Sequence, residues 1–175
     1  MERALGLACL LDHPPIRALD LGSGGGLPGL PLVGALPGSP WVLLEGGTTR
    51  AQFLRQAVTR LGLADRVEVV AQRAEEAGRG PLRHGFDLVV ARSFGPPAVT
   101  AECGSPFLRQ GGSLLVAEPP GGGGDRWDSP RLADLGLQRG ASTSEPTAAQ
   151  ILVQHRLCPD AYPRRNGVPA KRPLF

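Results

Sequence analysis

Ile16-Arg17-Ala18-Leu19-Asp20-Leu21-Gly22-Ser23-Gly24-Gly25-Gly26-Leu27-Pro28-Gly29 is the stretch on which the fold turns. An apolar run delivers an acid and then a glycine-rich loop, and a second apolar run, from Leu30 to Leu36, follows at once. Strand, glycine loop and helix start form an order that brings main chain against a ligand. A residue without Cβ lets the backbone approach closely and turn through positive φ. The helix start behind the loop offers unpaired N–H groups to a carboxylate or phosphate. A linker or hairpin is the bland alternative, but linkers are seldom clamped between two apolar runs. The segment therefore predicts a cradle for an adenosine-type ligand, built on the loop of Gly22, Ser23, Gly24 and Gly26.

Outward from the loop, short apolar runs alternate with helical patterns, which argues for a parallel sheet with helices on both faces. Strands are expected over 16–21, 41–45, 67–71, 86–91 and 113–118. The clearest helix is 49–61, where Phe53, Leu54, Ala57, Val58 and Leu61 recur at helical spacing. Arg50, Arg55 and Arg60 fall off that stripe and read as a solvated face. A second helix is expected over 98–108, a glycine-rich mobile loop over 121–124, and a short helix over 131–135. Residues 137–141 and 150–157 suit a closing antiparallel pair. The expected whole is an α/β, mostly parallel, seven-stranded sheet forming a single domain over 1–175. An N-terminal helix within 1–15 covers the sheet, and a basic tail, 159–175, too broken for regular structure, lies on or near the domain.

Composition bounds the chemistry. With 175 residues, 41% hydrophobic and 20% charged, the chain can bury a core unaided. A net charge of +3 permits nucleic acid without demanding it. Cys9, Cys103 and Cys158 stand in no ligand spacing and His13, His84 and His155 are scattered, which predicts reduced thiols in a cytoplasm and no metal. The apolar stretch near the start is too short for a membrane span.

Open parallel sheets bind ligands beyond the carboxyl ends of their strands. The strand tips here carry Asp20, Glu45, the Ala71–Glu75 turn and Arg92. A carboxylate at Glu45 can accept both hydroxyls of a ribose; a solvent-facing acid is its plain alternative. Gly24-x-Gly26-x-x-Gly29 also satisfies the dinucleotide fingerprint, so nicotinamide and flavin remain open on the loop alone. Asp20, two residues before Gly22, suits a cationic ligand group, directly or through water, better than a pyrophosphate. Pro28 also removes an N–H from the helix start. Both favour S-adenosyl-L-methionine. Arg73-Ala74-Glu75-Glu76 follows the third strand, where the adenine passes, although acids in a first helical turn also suit the helix dipole. Arg92 follows four apolar strand residues and is expected to point into the crevice as the catalytic residue. A strand-end ion pair is the alternative. No general base accompanies it, and Cys103 falls within a helix, which argues against a covalent thiol. An acceptor with its own exposed lone pair, such as guanine N7, needs only orientation. In the tail, Arg164, Arg165, Lys171 and Arg172 suit RNA phosphates, and Tyr162 could stack on a base. A basic strap over the sheet edge is an equal reading.

Asp20-Leu21-Gly22-Ser23-Gly24-Gly25-Gly26-Leu27-Pro28-Gly29, Leu43-Leu44-Glu45, Arg50-Ala51-Gln52-Phe53-Leu54, Arg73-Ala74-Glu75-Glu76, Ala91-Arg92-Ser93-Phe94 and Tyr162-Pro163-Arg164-Arg165 together resemble the RsmG (GidB) family of small-subunit ribosomal RNA methyltransferases. The resemblance runs from about Ile16 to Phe175. It implies a Rossmann-like class I methyltransferase fold and S-adenosyl-L-methionine as cofactor. The implied reaction is methyl transfer to N7 of a guanosine in 16S rRNA near the decoding site. It places cofactor contacts at Gly22, Leu27, Ala74, Glu75 and Arg92, with Glu45 a further candidate. The partner is 16S rRNA or the small subunit, and a monomer is expected. Family members usually carry a longer helical segment before the first strand, so this sequence reads as a short N-terminus variant. A small-molecule methyltransferase and a non-catalytic ribosome-associated module are the rival readings.

Overall fold

A computed structural model describes residues 6–11, 13–120, 124–145 and 147–175. Its centre is a seven-stranded sheet: β1 (Ala18–Leu21), β2 (Trp41–Leu44), β3 (Val67–Val70), β4 (Phe86–Arg92), β5 (Leu108–Ala117), β6 (Leu137–Thr143) and β7 (Ala149–Gln154). The spatial order is β3-β2-β1-β4-β5-β7-β6. The first five strands run parallel and β7 is antiparallel to both β5 and β6. The helices are α1 (Gly29–Ala35), α2 (Thr48–Arg60), α3 (Ala74–Ala77), α4 (Pro97–Gly104) and α5 (Val168–Lys171).

Strand alternation divides the core. Leu19, Leu21, Val42, Leu44, Val89 and Ala91 face one side, with α4, Phe107 and Trp127. Ala18, Trp41, Leu43, Leu88 and Val90 face the other, against Leu32 and Val33 of α1 and Leu54 and Val58 of α2. The chain reverses direction between β1 and β4, whose outward helices lie on opposite faces, so the crevice opens at the tips of these two strands.

The expected strands recur with adjusted ends. Ile16 and Arg17 stop short of β1 because their N–H groups are taken by the Asp87 carboxylate, at 2.8 and 2.7 Å. Helix α4 ends at Gly104, not at 108; Ser105–Phe107 tightens into a 3-10 turn containing Pro106, and β5 begins at Leu108. A left-handed Gly111 then bends the strand. The apolar stripe of α2 is narrower than expected. Ala51, Leu54 and Val58 are buried, while Phe53 and Leu61 are exposed. The segment 130–135 is a 3-10 turn capped by the Ser129 hydroxyl. Of the expected N-terminal helix, residues 6–8 form a helical turn with Leu7 buried; residues 1–5 lie outside the described residues, as does 121–123 of the glycine loop. No helix among the described residues is long and apolar enough to cross a membrane.

The tail is ordered by distant partners. Arg79 donates to the Pro163 carbonyl at 2.8 Å, and Arg83 donates to the carbonyls of Tyr162 at 2.8 Å and Cys158 at 2.7 Å. Arg164 forks onto the fully buried Glu102 at 2.8 and 2.6 Å. Contrary to the expected broken tail, the segment ends in helix α5.

Candidate active site

The loop after β1 is pinned to the end of the neighbouring strand β2. The N–H groups of Gly22 and Ser23 donate to the Leu44 carbonyl, and that of Gly26 to Ser23. Gly22 has φ of 70°, and a Cβ there would stand 2.5 Å from the Phe94 ring, so both conformation and space require glycine. Gly24 and Gly25 have no such obstruction. Asp20 does not line the cleft. Alternation along β1 points it beneath the first turn of α1, where it is 1% exposed and accepts from the Gly29 N–H at 3.1 Å. A Cβ at Gly29 would lie 2.5 Å from that carboxylate, so the helix start can seat there only as glycine. The other carboxyl oxygen, Oδ1, has no hydrogen-bond partner among the described residues. Burial raises the carboxyl to about 7, against the lowering effect of Ser23 and the Gly29 N–H.

Glu45 sits just past β2 and is also buried. Its Oε1 accepts from the Gly47 N–H at 2.7 Å and from both Nε and Nη2 of Arg50, at 2.9 and 2.7 Å. Among the described residues its Oε2 accepts only from the Gly24 N–H, at 2.9 Å, which leaves a lone pair for a ligand hydroxyl. Burial alone would raise this carboxyl, but the Arg50 fork and the two N–H donors outweigh it and hold the group below its ordinary value. Arg50, expected on a solvated face, is thus part of the cleft. Ala74 and Glu75 open α3 on the far wall. The Glu75 carboxylate accepts from the Gly167 N–H at 3.0 Å, and Asn166 reaches Glu76, so the tail closes this side, with Gly167 and Ala170 in the wall.

Arg92 ends β4 and is followed by Ser93 with φ of 53°, a left-handed conformation uncommon outside glycine. The Arg92-Ser93-Phe94 turn is a wall shared by two cavities. One, of about 560 Å³, is the cleft bounded by Gly22, Leu27, Glu45, Ala74 and Glu75; the other, of about 350 Å³, extends over the tips of β4 and β5 to Glu118. The Arg92 side chain has no hydrogen bond or ion pair among the described residues, so the strand-end ion pair is not formed. The turn is braced by the Thr100 hydroxyl, which donates to the Gly95 carbonyl at 3.0 Å. Cys103 reaches the cleft wall, but burial, with Glu75 and Glu102 nearby, pushes its thiol far up. That is no nucleophile at neutral pH. No cluster of three or more His, Cys, Asp and Glu suited to a metal forms among the described residues.

Of the tail residues, Arg164 is committed to Glu102 and to the Arg172 carbonyl, which makes it an anchor instead of a phosphate contact. Tyr162 packs against the core and is not presented for stacking. Arg165, Lys171 and Arg172 are exposed. Sequence reading missed Arg79, Arg83 and Glu102, whose partners in the tail are distant in the chain, and Glu118, whose carboxylate is held by Trp127 from the following loop.

Comparison with known proteins agrees with this geometry. A family model described as rRNA small subunit methyltransferase G (GidB) matches residues 4–118. The ribosomal RNA small subunit methyltransferase G of Moorella thermoacetica is 36% identical over 174 residues, spanning 94% of this chain and 72% of the relative. That of Syntrophomonas wolfei is 33% identical, spanning 99% of this chain and 84% of the relative. Among solved structures, a SAM-dependent methyltransferase from Aquifex aeolicus superposes with a TM-score of 0.63 at 17% identity, over 86% of this chain and 90% of that one.

Proposed function

Because the chain belongs to the rRNA small subunit methyltransferase G family, we propose that it methylates N7 of a guanosine in 16S rRNA, in the cytoplasm, with S-adenosyl-L-methionine as donor. The observation that carries the reading is the Arg92-Ser93-Phe94 turn standing between a nucleoside-sized cleft and a second cavity. Both volumes fall within the ~300–1,000 Å³ of small-molecule sites.

The cleft fits the donor on three counts. The Gly29 N–H, first in α1, is already taken by Asp20, so the helix start is poorly equipped for a pyrophosphate. Asp20 beneath the helix start offers no cation, and where it ionises, above about pH 7, it adds negative charge that disfavours a pyrophosphate and suits a cationic ligand. Glu45 Oε2 retains acceptor capacity for a ribose. Gly22, Leu27, Glu45, Ala74, Glu75 and Arg92 would hold the cofactor, with Ser23, Gly24 and Gly26 shaping the loop. S-Adenosyl-L-methionine, when bound, supplies an electrophilic methyl on a sulfonium.

The chain's own task is then orientation. Guanine N7 carries its lone pair in the neutral base, so no residue has to remove a proton, and neither cavity is lined by a histidine. Holding acceptor and methyl in line is worth roughly 7–11 kcal/mol of barrier. Arg92, with its donors unused within the described residues, orients the acceptor nucleotide; Phe94 and Val99 exclude water beside it. Arg165, Lys171 and Arg172 supply phosphate contacts from the tail beside the cleft.

Mapping m7G in small-subunit RNA from cells with and without the gene tests the assignment. One guanosine should lose its N7 methyl in the deletion strain and regain it on complementation. Identical maps would contradict the proposal.

A further inference from the structure

The cavity past Arg92 contains a built carboxylate that neither the donor nor the transfer step uses. Glu118 stands one residue beyond β5, next to Ala117, which pairs with Arg92 across the sheet. Its N–H is fixed to the Ala148 carbonyl at 2.8 Å. Its Oε1 accepts from the buried Trp127 indole N–H at 2.7 Å, which sets the plane of the carboxylate. Its Oε2 is buried and has no hydrogen-bond partner among the described residues. Among the described residues Arg126 forms an ion pair with it at 3.5 Å, its own side chain 38% exposed. A buried carboxylate with one oxygen held and the other unbonded is costly unless a donor arrives.

The chemistry of that group selects a ligand. An ionised carboxylate only accepts, and it accepts best from two adjacent donors in its own plane. Among the four RNA bases, guanine alone offers this on its Watson–Crick edge, as N1–H beside N2–H₂. Adenine and cytosine each present one exocyclic donor beside an acceptor, and uracil one N–H between two carbonyls. That edge also lies across the purine from N7. A guanine with its Watson–Crick edge on Glu118 therefore turns N7 back toward the Arg92 tip and the cleft. Enzymes that act on an unstacked base commonly read it by this edge.

Resting on the proposed N7 reaction, we infer that Glu118 is its specificity-determining residue, recognising the acceptor guanine through N1–H and N2–H₂ while Trp127 fixes the carboxylate. Arg126 occupies the ligand's place in the free protein, and the entering base displaces it toward the phosphate side.

The test is a calorimetric titration of the full chain, saturated with S-adenosylhomocysteine, by guanosine, inosine and adenosine 5′-monophosphates. Inosine differs from guanosine only in lacking the N2 amine. The wild-type protein should bind the guanosine nucleotide roughly tenfold or more tightly than the inosine nucleotide, and the adenosine nucleotide more weakly still. Glu118→Gln keeps an oxygen for Trp127 but turns an amide NH₂ on the base, and should abolish the guanosine preference while leaving S-adenosylhomocysteine affinity unchanged. Equal affinity of wild type for guanosine and inosine nucleotides, or no nucleotide binding by a protein that binds S-adenosylhomocysteine, overturns the inference without recourse to any variant. Methyl transfer to undermethylated 16S rRNA separates the two levels. A Glu118-dependent guanine preference without RNA methylation would sink the acceptor assignment and leave the pocket. RNA methylation undiminished in Glu118→Gln would do the reverse.

Discussion

Asp20 and Glu45 are two buried carboxylates at neighbouring strand tips with opposite behaviour. Glu45 has an arginine fork and two N–H donors and remains ionised; Asp20 has one N–H donor to its carboxylate and titrates at about 7. Between 3.8 and about 7 the folded protein holds on Asp20 a proton that the unfolded chain has already released. The stability this proton confers is complete below the unfolded value and is lost as pH rises through the folded one. Urea midpoints of the free protein should therefore fall from about pH 5 to about pH 8 through this group, an interval in which Glu45 is ionised in both states. Asp20→Asn keeps an acceptor for Gly29 and should flatten the profile over that interval. An unchanged slope in the variant would show that another group is responsible.

At the scale of elements, legibility followed the range of the interactions. β1, β2 and α2 were readable because runs and periodicity are local, and Glu45 because it ends a run. Phe53 was misplaced because three buried residues, Ala51, Leu54 and Val58, suffice to seat α2 on a flat sheet face. The tail was unreadable: its order rests on Glu102, Arg79, Arg83 and Glu75, at separations of 62 residues or more, and nothing local signals such partners. Arg164 is the test of this element. Its loss leaves Glu102 buried without its counter-ion, which should cost about 3–5 kcal/mol in chemical denaturation. Because the segment it anchors supplies Gly167 and Ala170 to the cleft wall, S-adenosyl-L-methionine should also bind more weakly. Arg165→Ala, at an exposed neighbour, should leave both quantities within error. Equal stability of the two variants would contradict an anchoring role for Arg164.

For the whole molecule, the topology matters because it puts two unlike cavities on either side of one strand tip. The donor side is built from β1, β2 and α3 and closed by the tail; the acceptor side lies over β4 and β5 and ends at Glu118. The division of labour between them, not a general base, is the basis of the proposed catalysis. The most direct test is transfer of labelled methyl from S-adenosyl-L-methionine to small subunits prepared from the deletion strain, read as m7G after digestion to nucleosides. The wild-type chain should place the label in m7G alone, and Arg92→Ala should lower the rate by about a hundredfold or more while keeping the wild-type melting temperature. Label in any other nucleoside, or in none with donor binding intact, would contradict the account.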